Sequence, residues 1–190
     1  AACWSAPSPG PSGAAPLEGN QSKGTKQSWQ REVLKRTGAW GLLTAVGVDP
    51  ERFLASLTGA ESGYATNATS SAGAAGVMQV MPDTARGIMS GRKYREIARE
   101  YGLTVYDARN MSNDAIRRML NRDWRTNILL GILYIEDQAR SFGGYLQNLG
   151  VSINDKAKLM MNMVAVMNAV PSVGPTAFNL INNMGCSTSY

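Results

Sequence analysis

Histidine is absent from all 190 residues. Its absence excludes serine–histidine and cysteine–histidine catalysis and removes most transition-metal sites. Cysteine occurs only twice, as Cys3 and Cys186, with no metal-ligand spacing. No apolar run approaches the roughly 18 residues of a membrane span. The first residues, AACWSAPSPG, lack the basic start and apolar core of a signal peptide. Period-2 alternation is missing except for a possible short hairpin within 66–80. No metal or other cofactor is expected. Chemistry therefore falls to carboxylates, lysine, tyrosine or backbone groups.

What is present suffices for one well-buried domain, since 44% of the residues are hydrophobic. The formal charge of +5 and the pI near 9.4 fit an ordinary basic surface or attraction to a polyanion. Nucleic acid is not expected, because no basic run is interleaved with aromatics. For Cys3 and Cys186 three readings stand: free thiols, a disulfide joining the chain ends in an exported protein, or Ala1-Ala2-Cys3 as the tail of a lipobox. The disulfide is preferred over the lipobox, since a processed lipoprotein would begin at the cysteine.

Residues 1–25 are rich in Ala, Pro, Ser and Gly and are expected to form a flexible arm. Residues 26–190 form the domain, and its pattern is mainly α. The spacing of Trp29, Val33, Trp40, Leu43 and Val46 predicts one helix over about 27–46. Asp49-Pro50 predicts a capped helix start, and Gly63 its end. Further helices are expected from Pro82-Asp83, over 92–101, and after Ser112 or Asn113. The longest is expected over 123–142, stopped by Gly143-Gly144. An all-round apolar helix over 155–169 reads as the buried centre, and a last helix as 175–183. Glu136 and Asp137 read as surface charges. Arg117, Arg118, Arg122 and Arg125 read as a basic cluster on solvated faces.

Glu61 carries the chemical interest. On the helix from Pro50 it follows Phe53 and Leu57 at helical spacing, so it continues an apolar stripe. A carboxyl removed from water has a raised pKa, which suits a general acid near neutral pH. The alternative is that Glu61 caps a neighbouring loop.

The residues after it carry a resemblance. ESGYATNATSSAGAAGVMQVMPDTA, residues 61–85, is similar to the signature of the soluble lytic transglycosylases, bacterial cell-wall enzymes with a goose-lysozyme-like fold. That signature reads Glu-Ser-x-aromatic, then Asn, Ala and Ser, then AGA-x-GLMQ-x-MP-x-TA. A second block matches with Asp123, Asn127, Ile128, Gly131, Tyr134 and Ile135. A third is partly present as Val166-Met167-Asn168-Ala169-Val170-Pro171-Ser172. Together the blocks cover about 48–175.

The resemblance implies a single-acid mechanism on the bond between N-acetylmuramic acid and N-acetylglucosamine. Glu61 would act as acid and then as base, closing a 1,6-anhydro ring. It also implies substrate contacts from Ser70, the backbone of Gly76, Val77 and Met78, and the side chains of Gln79, Tyr134 and Asn168. Peptidoglycan strands are the implied partner and an extracytoplasmic site the implied location. In the family, the third-block tyrosine sits beside the acid; Met167 stands there in this chain. Either the acid works without that hydroxyl, at reduced activity, or Tyr64, Tyr134 or another tyrosine supplies it. Two other readings follow: a glycan-binding or structural module that kept the fold, and a component of a phage particle or of an envelope-spanning secretion or conjugation machine.

Overall fold

The computed structural model describes residues 21–45 and 49–148. Among these, seven α-helices and one 3-10 turn are connected by short segments. The expected helices over 155–169 and 175–183, and the disulfide expected between Cys3 and Cys186, lie outside the described residues.

Helix α1, Lys23–Arg36, is capped by Ser22, whose hydroxyl accepts the Thr25 N–H at 3.2 Å. It starts inside the stretch expected to be a flexible arm. The single helix expected over 27–46 is in fact broken in two, since α2 spans Ala39–Ala45. Thr37 turns extended, and its hydroxyl donates to the Val33 carbonyl at 2.9 Å. The next N–H, of Gly38, leaves the helical ladder and donates to Glu136 at 3.0 Å. A tertiary acceptor thus ends a helix whose apolar period would have continued it.

Helix α3, Pro50–Ser62, follows its local signals closely. Asp49 accepts the Glu51 and Arg52 N–H groups, each at 3.0 Å. Gly63 closes it at φ 59°, the left-handed region that glycine enters without penalty. Helices α4, Pro82–Met89, and α5, Arg92–Glu100, lead to a 3-10 turn at Ala108–Asn110. Ser112 caps α6, Asn113–Leu120.

Helix α7 runs Trp124–Asn148 and is not stopped at Gly143-Gly144. Glycine weakens a helix interior by about 1 kcal/mol per residue but does not by itself supply a stop. At its start, Asp123 accepts the Thr126 N–H at 3.0 Å and hydroxyl at 2.7 Å. From Thr126 to Leu133 every residue is buried. A helix apolar on all sides belongs at the centre of its domain, and α1, α2, α4, α5 and α6 all pack on α7.

Glu136 corrects the reading of it as a surface charge: it is 3% exposed, whereas Asp137 is exposed. Its carboxylate takes the Gly38 N–H, the Lys93 ammonium and the Arg140 guanidinium. It joins the α1–α2 break and α5 to the central helix. In the basic cluster, Arg117 pairs with Asp114 at 2.6 Å, and Arg125 lies 4.4 Å over the Trp29 ring.

Glu136→Gln should lower unfolding free energy by about 1–3 kcal/mol, because the Gly38 amide and two cations lose a charged acceptor. Urea denaturation measures it. Asp137→Asn should lie within about 0.5 kcal/mol of the parent.

Candidate active site

The site is assembled from the end of α3, the turn at 62–65, the loop at 66–81 and one face of α7. On α3 the fully buried line is Pro50, Leu54 and Thr58. The line Phe53, Leu57 and Glu61, expected to face inward, is half-buried beside it. Burial is still enough to push the Glu61 carboxyl above its ordinary pKa. Among the described residues it makes no hydrogen bond or ion pair, so the loop-capping alternative finds no contact there.

The turn after Glu61 is unusually constrained. Gly63 and Tyr64 both adopt left-handed backbone, at φ 59° and 68°. For tyrosine that conformation costs about 1–3 kcal/mol, so surrounding contacts must hold it. They do so from four directions. The Tyr64 N–H donates to the Ser62 hydroxyl at 3.1 Å, and its carbonyl accepts the Lys26 ammonium at 2.7 Å. Its hydroxyl donates to Gln30 at 3.2 Å, and Lys23 lies 5.2 Å over its ring. Gln30 in turn donates to buried Thr58 at 2.8 Å. The Tyr64 hydroxyl, one candidate to stand in for the family tyrosine, is buried and engaged with α1.

The Ser62 hydroxyl also donates to the Val77 carbonyl at 2.5 Å, tying the turn to the loop. The expected hairpin within 66–80 is only two isolated antiparallel bridges, Thr69 with Ala75 and Ala75 with Val80. The loop is pinned elsewhere, by Asn127 of α7. This fully buried amide accepts the Met78 N–H at 2.8 Å and donates to the Ala75 and Leu120 carbonyls at 2.8 and 3.1 Å. Gly76, at φ 79°, lies so close that a β-carbon there would overlap the Asn127 side chain and the Leu120 carbonyl. The absence of a β-carbon at Gly76 thus lets α6 and α7 approach the loop.

The remaining expected contact residues divide. Val77 and Met78 point into the core, with Met78 against Gly131, where a β-carbon would meet its sulfur at 2.7 Å. Gln79 is half-buried at φ 49°, and its amide nitrogen donates to the Ala68 and Gly76 carbonyls at 3.0 and 2.8 Å. Its amide oxygen accepts nothing from the described residues. The Ser70 hydroxyl accepts the Ala74 N–H at 3.0 Å rather than meeting Glu61. Tyr134 is half-buried, its hydroxyl pKa raised by that burial. It shares the α7 face of Asn127 and Gly131. Asn168 and Met167 lie outside the described residues. Among the described residues no three Asp, Glu or Cys side chains gather to hold a metal ion.

Sequence reasoning passed over Asn127 as a structural anchor and missed Lys26 and Gln30 altogether. A signal existed for the first. An amide directly before the apolar run Ile128–Leu133 has to find buried partners, and the loop at Ala75 and Met78 with the end of α6 at Leu120 supplies them.

Asn127→Ala should cost about 2–5 kcal/mol, since it strands the Met78 N–H and the Leu120 carbonyl and removes one of two donors from the Ala75 carbonyl. Asn127→Asp should not restore stability, because it can accept from Met78 but cannot donate to the two carbonyls. Gly76→Ala should be destabilising by a similar amount. Chemical denaturation of the three variants checks the set.

No curated protein and no solved structure shows significant similarity to the chain. The family model described as the transglycosylase SLT domain matches residues 43–158. The match spans more than half of the chain and takes in Glu61, the pinned loop and the whole of α7. The chain therefore belongs to the transglycosylase SLT family, the mainly helical, lysozyme-like domains of peptidoglycan-cleaving lytic transglycosylases.

Proposed function

We propose that this protein cuts the β-1,4 bond between N-acetylmuramic acid and N-acetylglucosamine, with Glu61 as the one carboxyl that moves protons. The observation that carries the reading is the state of Glu61. It is half-buried, raised in pKa, and without a counter-charge among the described residues. A raised pKa favours the protonated form, which a general acid needs at the start of its cycle.

The steps balance on a single acid. Protonated Glu61 gives its proton to the glycosidic oxygen, which leaves as the 4-hydroxyl of N-acetylglucosamine. The muramic acetamido oxygen stabilises the cation at C1. Glu61, now a carboxylate, takes the proton of the C6 hydroxyl as O6 bonds to C1. A 1,6-anhydro sugar forms, and Glu61 returns to its protonated state. No second carboxylate is required, unlike most glycosidases.

The amide oxygen of Gln79, which accepts nothing among the described residues, supports a role in accepting a sugar hydroxyl or acetamide N–H. Tyr134 and Asn168 are proposed as further contacts, and Ser70 after release from Ala74. Val77 and Met78 would contribute backbone only. A peptidoglycan substrate supports an extracytoplasmic location for the protein. Among the described residues no helix is long and apolar enough to cross one. A second reading, a glycan-binding module with little turnover, is favoured by Met167 at the family's tyrosine position and by the engagement of the Tyr64 hydroxyl with Gln30.

Purified peptidoglycan incubated with the protein should release 1,6-anhydromuropeptides, identified by mass spectrometry. Glu61→Gln should reduce the rate by at least about a hundredfold. Ordinary reducing ends would point to hydrolysis instead. Binding to the wall without turnover, unchanged by Glu61→Gln, would support the second reading.

The pH dependence has a definite sign. Glu61 must begin protonated, and burial raises its pKa, so activity should persist above the ordinary glutamate pKa of about 4.3. It should fall as pH rises through the folded-state value. A kcat/KM profile whose alkaline limb is already complete near pH 4 would contradict Glu61 as the acid.

A further inference from the structure

Lys26 is 1% exposed, and no carboxylate among the described residues pairs with it. A buried ammonium is costly unless it is bonded, and burial here lowers its pKa. The one acceptor it meets among the described residues is the Tyr64 carbonyl, at 2.7 Å. That carbonyl belongs to a non-glycine residue held in left-handed backbone, three positions after Glu61. Lys26 also lies on α1, outside the family match at 43–158. Its role is therefore not carried by the family's own blocks.

The geometry points to Lys26 as a positioning residue that sets the placement of Glu61 through the turn following it. The chain of contacts is continuous. Lys26 holds the Tyr64 carbonyl, Tyr64 donates to Ser62, and Ser62 donates to Val77 of the pinned loop. Gln30, one helical turn after Lys26, anchors the same turn and Thr58 of α3. Helix α1 thus grips α3 on both sides of Glu61. Releasing the Tyr64 carbonyl frees the strained turn to relax, and the carboxyl moves relative to the loop that would hold the sugar. The inference rests on the proposed role of Glu61, and one arm of its test does not.

The test uses the full chain with Lys26→Met, which keeps the apolar stem and removes the charge and donor. Release of anhydromuropeptides should fall about ten- to hundredfold in kcat, with KM within about twofold. Thermal stability should change little, because losing a buried charge offsets the loss of the Tyr64 carbonyl's donor. Amide hydrogen exchange at residues 63–65 and 77–79 should quicken by about tenfold, with α7 unchanged. Wild-type kcat in a folded variant would overturn the inference, and so would an activity loss that only tracks a lower melting temperature. Should Lys26→Met not fold, Lys26→Gln serves, since its amide nitrogen falls one bond short of the Tyr64 carbonyl. If the parent itself releases no product, the proposed chemistry fails, and the exchange arm alone decides on Lys26. Unchanged exchange at the turn then overturns it.

Discussion

The carboxamide of Asn127 is the contact on which the site depends. It reaches from the central helix to the Met78 amide and Ala75 carbonyl of the 66–81 loop and to the Leu120 carbonyl at the end of α6. The loop's own hydrogen bonds, among them Gly76 N–H to Ala68 and the reciprocal pair of Ala75 and Val80, fold it on itself. Asn127 ties that folded loop to α6 and α7. Gly76 exists in this setting to let the amide approach, and Gly131 to let Met78 settle on α7. The loop's shape follows from its packing on α6 and α7. Any sugar would meet a surface already formed.

Two other buried polar side chains extend the same principle to the rest of the fold. Glu136 draws the Gly38 amide out of a helix and thereby sets the angle between α1 and α2 against α7. Lys26 holds a strained carbonyl beside Glu61. Each is an expensive group in an apolar interior, and each is matched to a backbone group that has no helical partner. The domain thus uses polar burial to fix irregular backbone, while Leu, Ile and Val fill the space between helices. Glu61 differs from these three. It is partly withdrawn from water but unmatched among the described residues, and this is the state in which a carboxyl is chemically useful.

Much of the helical order was readable along the chain. Asp49-Pro50 and Gly63 delimit α3, Ser112 caps α6, and Pro82 opens α4, because caps and turn residues act on neighbours within a few positions. The motif around Glu61 was legible for another reason: its residue types are demanded in one spacing by the loop they build. Less legible was the α1–α2 break, since Thr37 and Gly38 sit inside a continuous apolar period. Nor could the Gly143-Gly144 pair be judged locally, because helix continuation there is a matter of context. Glu136 looked like a solvated charge next to Asp137, and only its register on α7 separates the two.

The sequence by itself determined the helical class, the helix boundaries set by caps, the absence of imidazole chemistry, and Glu61 as the one candidate acid in a recognisable loop. Only the tertiary structure decided which polar groups are buried and what they hold. Lys26, Asn127 and Glu136 find their backbone partners 38, 49 and 98 residues away. Local signals decay within a helical turn or two, whereas burial is settled by the whole packed chain. The left-handed backbone at Tyr64, the engagement of its hydroxyl with Gln30, and the half-exposure of Glu61 all come from that second level, where distant segments compete for the same donors and acceptors.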